Sequence, residues 1–172
     1  MEKILFKDYE IQTKVKQMAN NITCDFYLFK QPVVVIGILK GAFMFTTDLV
    51  RYMNIHAIID FVQIKSYKGT ESSGIPDLIK DIDIDIKGKN IILVDGIIDS
   101  GSTLNFLIKY FESRGPLSIN TAVLFNKECK RKIPVTINYF GWKIDDHFIV
   151  GYGMDYNELY RNIPYVKELI KK

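Results

Sequence analysis

Two uninterrupted apolar runs of strand length constrain the fold more than any other feature of the sequence. Residues 33–38 read Val-Val-Val-Ile-Gly-Ile, and within the strand-like segment 90–95 residues 91–94 read Ile-Ile-Leu-Val. A strand with one face in water alternates apolar and polar side chains, whereas a strand that is buried on both faces does not. Both runs therefore predict central strands of a mostly parallel sheet that is covered on its two faces.

Apolar residues at helical spacing predict the helices that cover this sheet. They occur in three segments, at residues 8–22, 43–53 and 103–111. Further strand-like segments lie at residues 57–64, 119–125, 135–142 and 148–152, and the strictly alternating residues 81–86 fit a half-exposed β-segment or an arm. Strands that alternate with helices indicate one α/β domain over residues 1–172, with its site at the carboxyl ends of the strands.

Composition and charge exclude several classes of protein. The chain has 172 residues, of which 48% are hydrophobic and 25% charged, which is enough to bury a core without disulfides or metals. Its two cysteines, Cys24 and Cys129, have no companion at metal-ligand spacing. A net charge of +3 does not imply a nucleic-acid partner. The sequence has neither a signal-peptide pattern nor a membrane-length apolar run, so we expect a cytoplasmic protein without a membrane partner.

The most informative motif joins the strand at 90–95 to the helix that follows it. Asp95 is followed by Gly-Ile-Ile-Asp-Ser-Gly-Ser-Thr at residues 96–103. Helix N-terminal N–H groups and the hydroxyls of such a turn can cradle a phosphate. An ordinary capped helix start explains the same residues, so the pattern alone leaves both interpretations open. A P-loop is disfavoured, because Ser102 stands where its lysine is required.

The segment resembles the signature that binds 5-phosphoribosyl 1-pyrophosphate (PRPP) in type I phosphoribosyltransferases. In that signature an apolar strand, two acidic residues, two aliphatic residues and Asp precede Thr/Ser-Gly-x-Thr. Further motifs are similar, in order and at family spacing, to the hypoxanthine(-guanine) phosphoribosyltransferase branch: Leu39-Lys40-Gly41, Ser66-Tyr67, Lys127, residues 148–155 and Arg161. The resemblance covers nearly the whole chain. It implies the type I fold, with a small hood from the N- and C-terminal segments.

The resemblance also implies a role for each motif. The turn that holds the 5′-phosphate of PRPP would be Asp99, Ser100, Gly101, Ser102 and Thr103, and Asp99 would in addition be the general acid/base near purine N7. Pyrophosphate would contact Lys40 and Gly41, beside a cis Leu39–Lys40 peptide, and Arg161. The purine would lie against Lys127, Phe148, Ile149 and Asp155. Ser66 and Tyr67 would belong to a mobile lid. Asp95 and Asp155 would bring in Mg²⁺ as the cofactor.

The implied reaction is a step of purine salvage. Phosphoribosyl would pass from PRPP to hypoxanthine, and also to guanine, giving IMP or GMP and pyrophosphate. Lys127 can donate hydrogen bonds but cannot accept them, so it fits a 6-oxo purine and disfavours adenine. We expect a homodimer or homotetramer. The alternative is a non-catalytic regulator that senses PRPP or nucleotides on the same fold.

One residue departs from the family pattern. Gly96 stands where the family has its second acidic residue, which leaves Asp95 alone before the two isoleucines. The family's carboxylate pair contacts the ribose hydroxyls and their metal. We therefore expect room for water beside Gly96, and tighter PRPP binding when a carboxylate is restored there.

Overall fold

The computed structural model of the chain describes residues 3–65 and 76–169. Within these residues the elements follow in the order β1 (Lys3–Phe6), α1 (Asp8–Phe26), β2 (Val33–Leu39), α2 (Phe43–Tyr52), β3 (Ala57–Lys65), β4 (Asp77–Lys80), β5 (Asn90–Ile98), α3 (Ser102–Glu112), β6 (Ser118–Asn126), β7 (Tyr139–Lys143), β8 (Ile149–Val150) and β9 (Val166–Glu168). A short 3₁₀ helix spans Glu128–Lys130. None of the helices in this described part of the chain is long and apolar enough to cross a bilayer.

The central sheet has six strands in the order β4-β3-β2-β5-β6-β7. All neighbours are parallel except β4, which runs antiparallel to β3 at one edge. From β2 the chain moves outward to β3, and from β5 it moves outward to β6 on the other side. The strand order therefore reverses between β2 and β5, which is where open α/β sheets form a ligand-binding crevice. The predicted α/β fold with a mostly parallel sheet is confirmed.

Helices cover both faces of the sheet, and this explains the uninterrupted apolar runs. Val33 and Val35 of β2 pack into the cluster formed with α1 and α2. The alternate residues Val34 and Ile36 pack on the opposite face with α3. Successive side chains of a strand point to opposite faces, so a strand between two helical layers requires apolar residues at every position.

A second, three-stranded sheet has the order β1-β9-β8 and is antiparallel throughout. It joins the start of the chain to its end, since Lys3 pairs with Glu168. This sheet corresponds to the hood implied by the family resemblance. Two of its strands, β1 and β9, were not predicted from the sequence, because each has only three or four residues.

The prediction of a β-segment at residues 81–86 is wrong. Carboxylates in and near this segment bind main-chain N–H groups and so take the place of a strand partner. The Asp81 carboxylate accepts from Ile82 N at 2.8 Å, and Asp60 accepts from Asp83 N at 2.8 Å. Ile82 and Ile86 still face inward and pack in the cluster with α3.

Two other strands are shorter than predicted. Residues 135–138 precede β7 without forming part of it, and there the side-chain Oδ1 of Asn138 accepts from Thr121 N at 3.0 Å. Residues 148–152 contribute only Ile149–Val150 to a strand, since Gly151 has φ of +105° and opens a turn. In both places a local hydrogen bond or a left-handed residue interrupts the extended backbone.

The carboxylate of Asp81 also fixes the 81–86 segment to α3. It accepts a hydrogen bond from the Tyr110 hydroxyl at 2.6 Å and pairs with the Arg114 guanidinium. Partial burial acts to raise the pKa of Asp81, but the hydrogen bonds from Arg114 and Tyr110 outweigh it and hold this pKa below its usual value. Its stabilising contribution is therefore complete above the unfolded-state pKa and is lost as the pH falls through the folded-state pKa.

We predict that Asp81→Asn lowers the free energy of unfolding by about 1 kcal/mol at neutral pH, as expected for a partly exposed charged hydrogen bond. The difference from wild type should shrink as the pH falls from 7 to about 3, because the stabilisation begins to be lost near the unfolded-state pKa of about 4. Urea titrations at both pH values measure it. Asp83→Asn is the matched control, because the Asp83 side chain is 93% exposed. An equal effect of the two substitutions would contradict the role of Asp81.

Candidate active site

The carboxyl ends of three neighbouring strands bring the predicted site residues to one edge of the sheet. Lys40 follows the end of β2, residues 95–99 run through the end of β5, and Lys127 follows β6. Because β5 lies between β2 and β6, the segment from Asp95 to Asp99 occupies the centre of this edge. The site thus coincides with the crevice at the reversal of strand order.

The turn at residues 99–103 leads from β5 into the N-terminus of α3. Gly101 has φ of +87° and precedes the first helical residue, Ser102. The Ser100 hydroxyl accepts a weak hydrogen bond from Ser102 N at 3.3 Å. Ser102 and Thr103 are partly exposed at the start of α3, where the helix dipole favours an anion. This geometry can bind a phosphate group.

Asp99 and Lys127 lie next to each other, although 28 positions separate them in the sequence. The Lys127 Nζ is 3.3 Å from the Asp99 Oδ1. The Lys127 side chain is only 7% exposed, whereas that of Asp99 is 57% exposed. The site therefore presents a buried hydrogen-bond donor beside an accessible carboxylate.

Asp95 is a partly buried carboxylate on the same strand. Burial raises the pKa of Asp95 to about 7, and the nearby Asp99 charge acts in the same direction. Hydrogen bonds from the main-chain N–H groups of Ile97 and Gly96 oppose this shift. A carboxylate with such a pKa favours a cation or a hydrogen-bond donor as its partner.

A charged group forms where the loop after β2 meets the segment after β8. The Leu39–Lys40 peptide is cis, as the resemblance implied. Lys40 Nζ contacts Glu158 Oε2 at 2.8 Å, and Arg161 Nη2 contacts Asp155 Oδ1 at 2.8 Å and Glu158 Oε1 at 3.3 Å. The hydrogen bond from Lys40 holds the pKa of Glu158 below its usual value. Two predicted pyrophosphate ligands, Lys40 and Arg161, are thus joined by Glu158, which the sequence analysis did not identify.

The expectation of room beside Gly96 is wrong. A Cβ on Gly96 would lie 2.9 Å from the main-chain oxygen of Gly41, closer than real Cβ contacts. A Cβ on Gly153 would lie 2.5 Å from the same oxygen. The Gly41 carbonyl is therefore packed between two glycines, one on β5 and one after β8. Gly96 thus admits the main chain of the loop at Lys40-Gly41 and does not leave space for water.

Phe148 and Ile149 lie at the start of the hood strand β8. The ring of Phe148 packs edge-on against Tyr156 with 5.7 Å between centroids. Ile149 is only 5% exposed and belongs to the core cluster on the α1 face. The Phe148 ring is partly exposed in this position.

The lid and the metal site remain predictions. Ser66 and Tyr67, assigned to a lid, lie outside the described residues. Within residues 3–65 and 76–169, no group of three or more His, Cys, Asp or Glu side chains is arranged to hold a metal ion. Asp95 and Asp155 can therefore supply oxygen ligands only together with other donors.

Comparison with known proteins agrees with this geometry. Residues 4–157 match the family model of the phosphoribosyl transferase domain. The hypoxanthine-guanine phosphoribosyltransferases of Aquifex aeolicus (strain VF5) and Bacillus subtilis (strain 168) are each 40% identical to this chain, over 95% and 96% of its length and 92% of theirs. A crystal structure of a hypoxanthine-guanine phosphoribosyltransferase from Bacillus anthracis superposes with a TM-score of 0.92 at 42% identity, covering 99% of both chains. The chain therefore belongs to the phosphoribosyltransferase family and has its type I fold.

Proposed function

We propose that the protein is a hypoxanthine-guanine phosphoribosyltransferase of purine salvage. It transfers phosphoribosyl from PRPP to hypoxanthine or guanine and releases pyrophosphate. The observation that carries this proposal is the contact between Lys127 and Asp99 directly before the phosphate-binding turn. The relatives described above are all named as transferases, and they give no support to a non-catalytic regulator.

The adjacent Lys127 and Asp99 match one edge of a 6-oxo purine. On that edge O6 and N7 are neighbours, and in adenine an amino group replaces O6. Lys127 donates to O6, whereas it would face a second donor in adenine. Asp99 lies beside N7 and accepts its proton as N9 forms the bond to C1′ and the bond from C1′ to pyrophosphate breaks.

The remaining residues bind the two ends of PRPP. The turn of Asp99, Ser100, Gly101, Ser102 and Thr103 holds the 5′-phosphate at the N-terminus of α3. Lys40, Gly41 and Arg161 contact the pyrophosphate, whose negative charge increases as it departs. The purine ring stacks on Phe148 beside Ile149.

Mg²⁺ fits the donor chemistry of this site. Asp95 and Asp155 offer carboxylate oxygens, and Mg²⁺ is commonly held by one or two carboxylates together with substrate phosphates and water. When bound, it neutralises charge on the pyrophosphate of PRPP. Asp95 lies on β5 before the phosphate-binding turn, and Asp155 pairs with Arg161, one of the residues proposed to bind pyrophosphate. The homodimer or homotetramer and the cytoplasmic location remain predictions of the sequence analysis.

We predict that PRPP, Mg²⁺ and either hypoxanthine or guanine yield pyrophosphate and the nucleotide, while adenine yields neither. In Lys127→Gln, kcat/KM for hypoxanthine should fall about 10- to 100-fold, because a charged hydrogen bond to O6 is lost. Lys130→Gln is the control, since Lys130 pairs with Asp146 at the surface. A coupled assay for released pyrophosphate measures turnover with hypoxanthine, guanine and adenine. Substantial AMP formation by the wild-type protein would contradict the role of Lys127.

For Asp99→Asn we expect kcat to fall by about 10²–10⁴, the usual range for a general acid/base, with PRPP affinity changed by less than about threefold. The side chain keeps its size but no longer accepts the N7 proton. Steady-state kinetics and titration calorimetry with PRPP separate the two effects. The exposed Asp145→Asn serves as the matched control. Turnover near that of wild type in Asp99→Asn would remove Asp99 from the mechanism.

The substitution Gly96→Asp should weaken PRPP binding by about tenfold, because its Cβ displaces the Gly41 carbonyl and with it the loop at Lys40. Gly96→Ala adds the Cβ without the carboxylate and should have a similar effect. Calorimetric titration with PRPP compares both variants with wild type. If Gly96→Asp binds more tightly while Gly96→Ala binds more weakly, the missing carboxylate outweighs the packing.

A further inference from the structure

Arg131 joins the phosphate-binding turn to the end of β6, although it lies in the loop beyond Lys127. Its Nε donates a hydrogen bond to the main-chain oxygen of Asp99 at 3.1 Å. Its Nη2 donates to the Oδ1 of Asn126 at 2.6 Å. Asn126 is 3% exposed and immediately precedes Lys127. The Arg131 guanidinium thus contacts both segments that carry the residues proposed for the purine edge. These are the turn that contains Asp99 and the end of β6 just before Lys127.

The residues after Arg131 bind the same turn. The N–H groups of Lys132 and Ile133 both donate to the main-chain oxygen of Ser100 at 3.0 Å. A Cβ on Gly101 would lie 2.5 Å from the Ile133 oxygen and 3.0 Å from the Arg131 Cδ. The loop of residues 131–133 is therefore packed closely against the back of the phosphate-binding turn.

These contacts fix the direction of the turn's N–H groups. Among the described peptides only Leu39–Lys40 is cis, so the peptides at 99–100 and 100–101 are trans. In a planar trans peptide the C=O and the N–H point in opposite directions. A bond that holds the Asp99 oxygen therefore aims the Ser100 N–H away from Arg131. The hydrogen bonds from Lys132 N and Ile133 N to the Ser100 oxygen likewise aim the Gly101 N–H away from those two residues.

We propose that Arg131 is a positioning residue for the 5′-phosphate of the substrate. It orients the Ser100 N–H as a phosphate donor through the Asp99 carbonyl and couples this turn to the Asn126-Lys127 segment. The inference rests on the proposed function, because it takes the turn as the site of the sugar phosphate. Arg131 acts through Asp99 and Asn126 and contributes no group of its own to the reacting atoms.

The two contacts explain the choice of arginine at this position. They come from different nitrogens of one planar group, which holds both acceptors at a fixed angle. Lysine has one nitrogen on a flexible chain and cannot reproduce this geometry, although it keeps the charge. If Arg131 contributed only its positive charge to the site, Arg131→Lys would keep the full affinity for the sugar phosphate. Lys132→Gln would then lower that affinity as much as Arg131→Gln does.

The test compares two probes that bind different parts of the site. Ribose 5-phosphate reports on the phosphate-binding turn, and pyrophosphate reports on the site of Lys40 and Arg161. Both are titrated by calorimetry into wild type, Arg131→Gln, Arg131→Lys and Lys132→Gln. Lys132→Gln is the matched control, since it removes one exposed charge from the same loop.

We expect Arg131→Gln to lower the affinity for ribose 5-phosphate about tenfold and to leave pyrophosphate affinity within about twofold. In turnover the KM for PRPP should rise and kcat should fall, since Asp99 lies in the loosened turn. Arg131→Lys should recover little of the loss, and Lys132→Gln should keep both affinities near wild type. If Arg131→Gln fails to fold, Arg131→Lys carries the same comparison of the two probes.

Three results would overturn the proposal. Equal losses of ribose 5-phosphate affinity in Arg131→Gln and Lys132→Gln, or wild-type affinity in Arg131→Lys, would show that only the charge of Arg131 matters. A parallel loss of affinity for both probes would indicate general loosening of the fold. Failure of the wild-type protein to form IMP would refute the proposed function instead, and the comparison of the two probes would still decide the role of Arg131.

Discussion

The burial of β5 at the centre of the sheet is the constraint on which the site depends. Its residues Ile91, Ile92, Leu93 and Val94 are fully buried between β2 and β6 and under helices on both faces. A strand in this position cannot carry unpaired polar side chains along its length. Its carboxylate, Asp95, is therefore confined to its second half, and Asp99 follows its end, before α3 begins at Ser102. The same packing that stabilises the core thus places the reactive groups in the crevice.

The parts of the fold that could be predicted from the sequence are those with a strong local pattern. The helices have apolar residues at helical spacing, and the central strands β2 and β5 have uninterrupted apolar runs, so their positions were predicted to within a few residues. The short strands β1, β4 and β9 have no such pattern, and β1 pairs with β9 from the other end of the chain. Residues 81–86 alternate like a strand, but their carboxylates satisfy main-chain donors locally.

The residues of the site likewise fall into those that the sequence identified and those that it could not. The resemblance to the family identified Asp99 and Lys127, and the structure brings them to 3.3 Å. It could not identify Glu158, Arg131 or the packing of Gly96, because each depends on how separate loops approach one another. Gly96 looked like a lost carboxylate in the sequence, whereas in three dimensions the Gly41 carbonyl lies against it. A close contact with a main-chain carbonyl oxygen does not require a particular side chain at the contacted position. It only favours glycine, because glycine has no Cβ.

The cations of the site are already paired, so in the proposed function substrate binding would be an exchange of partners. Lys40 and Arg161 contact Glu158, and Lys127 contacts Asp99. The pair of Lys40 and Glu158 is more than half exposed, and such pairs contribute little to stability, so an incoming pyrophosphate can displace Glu158 at small cost. Lys127 is only 7% exposed, and a buried ammonium without a partner is strongly unfavourable. Its environment therefore favours keeping an acceptor at all times. Asp99 is that acceptor in the structure, and in the proposed function the 6-oxo group of the purine would replace it.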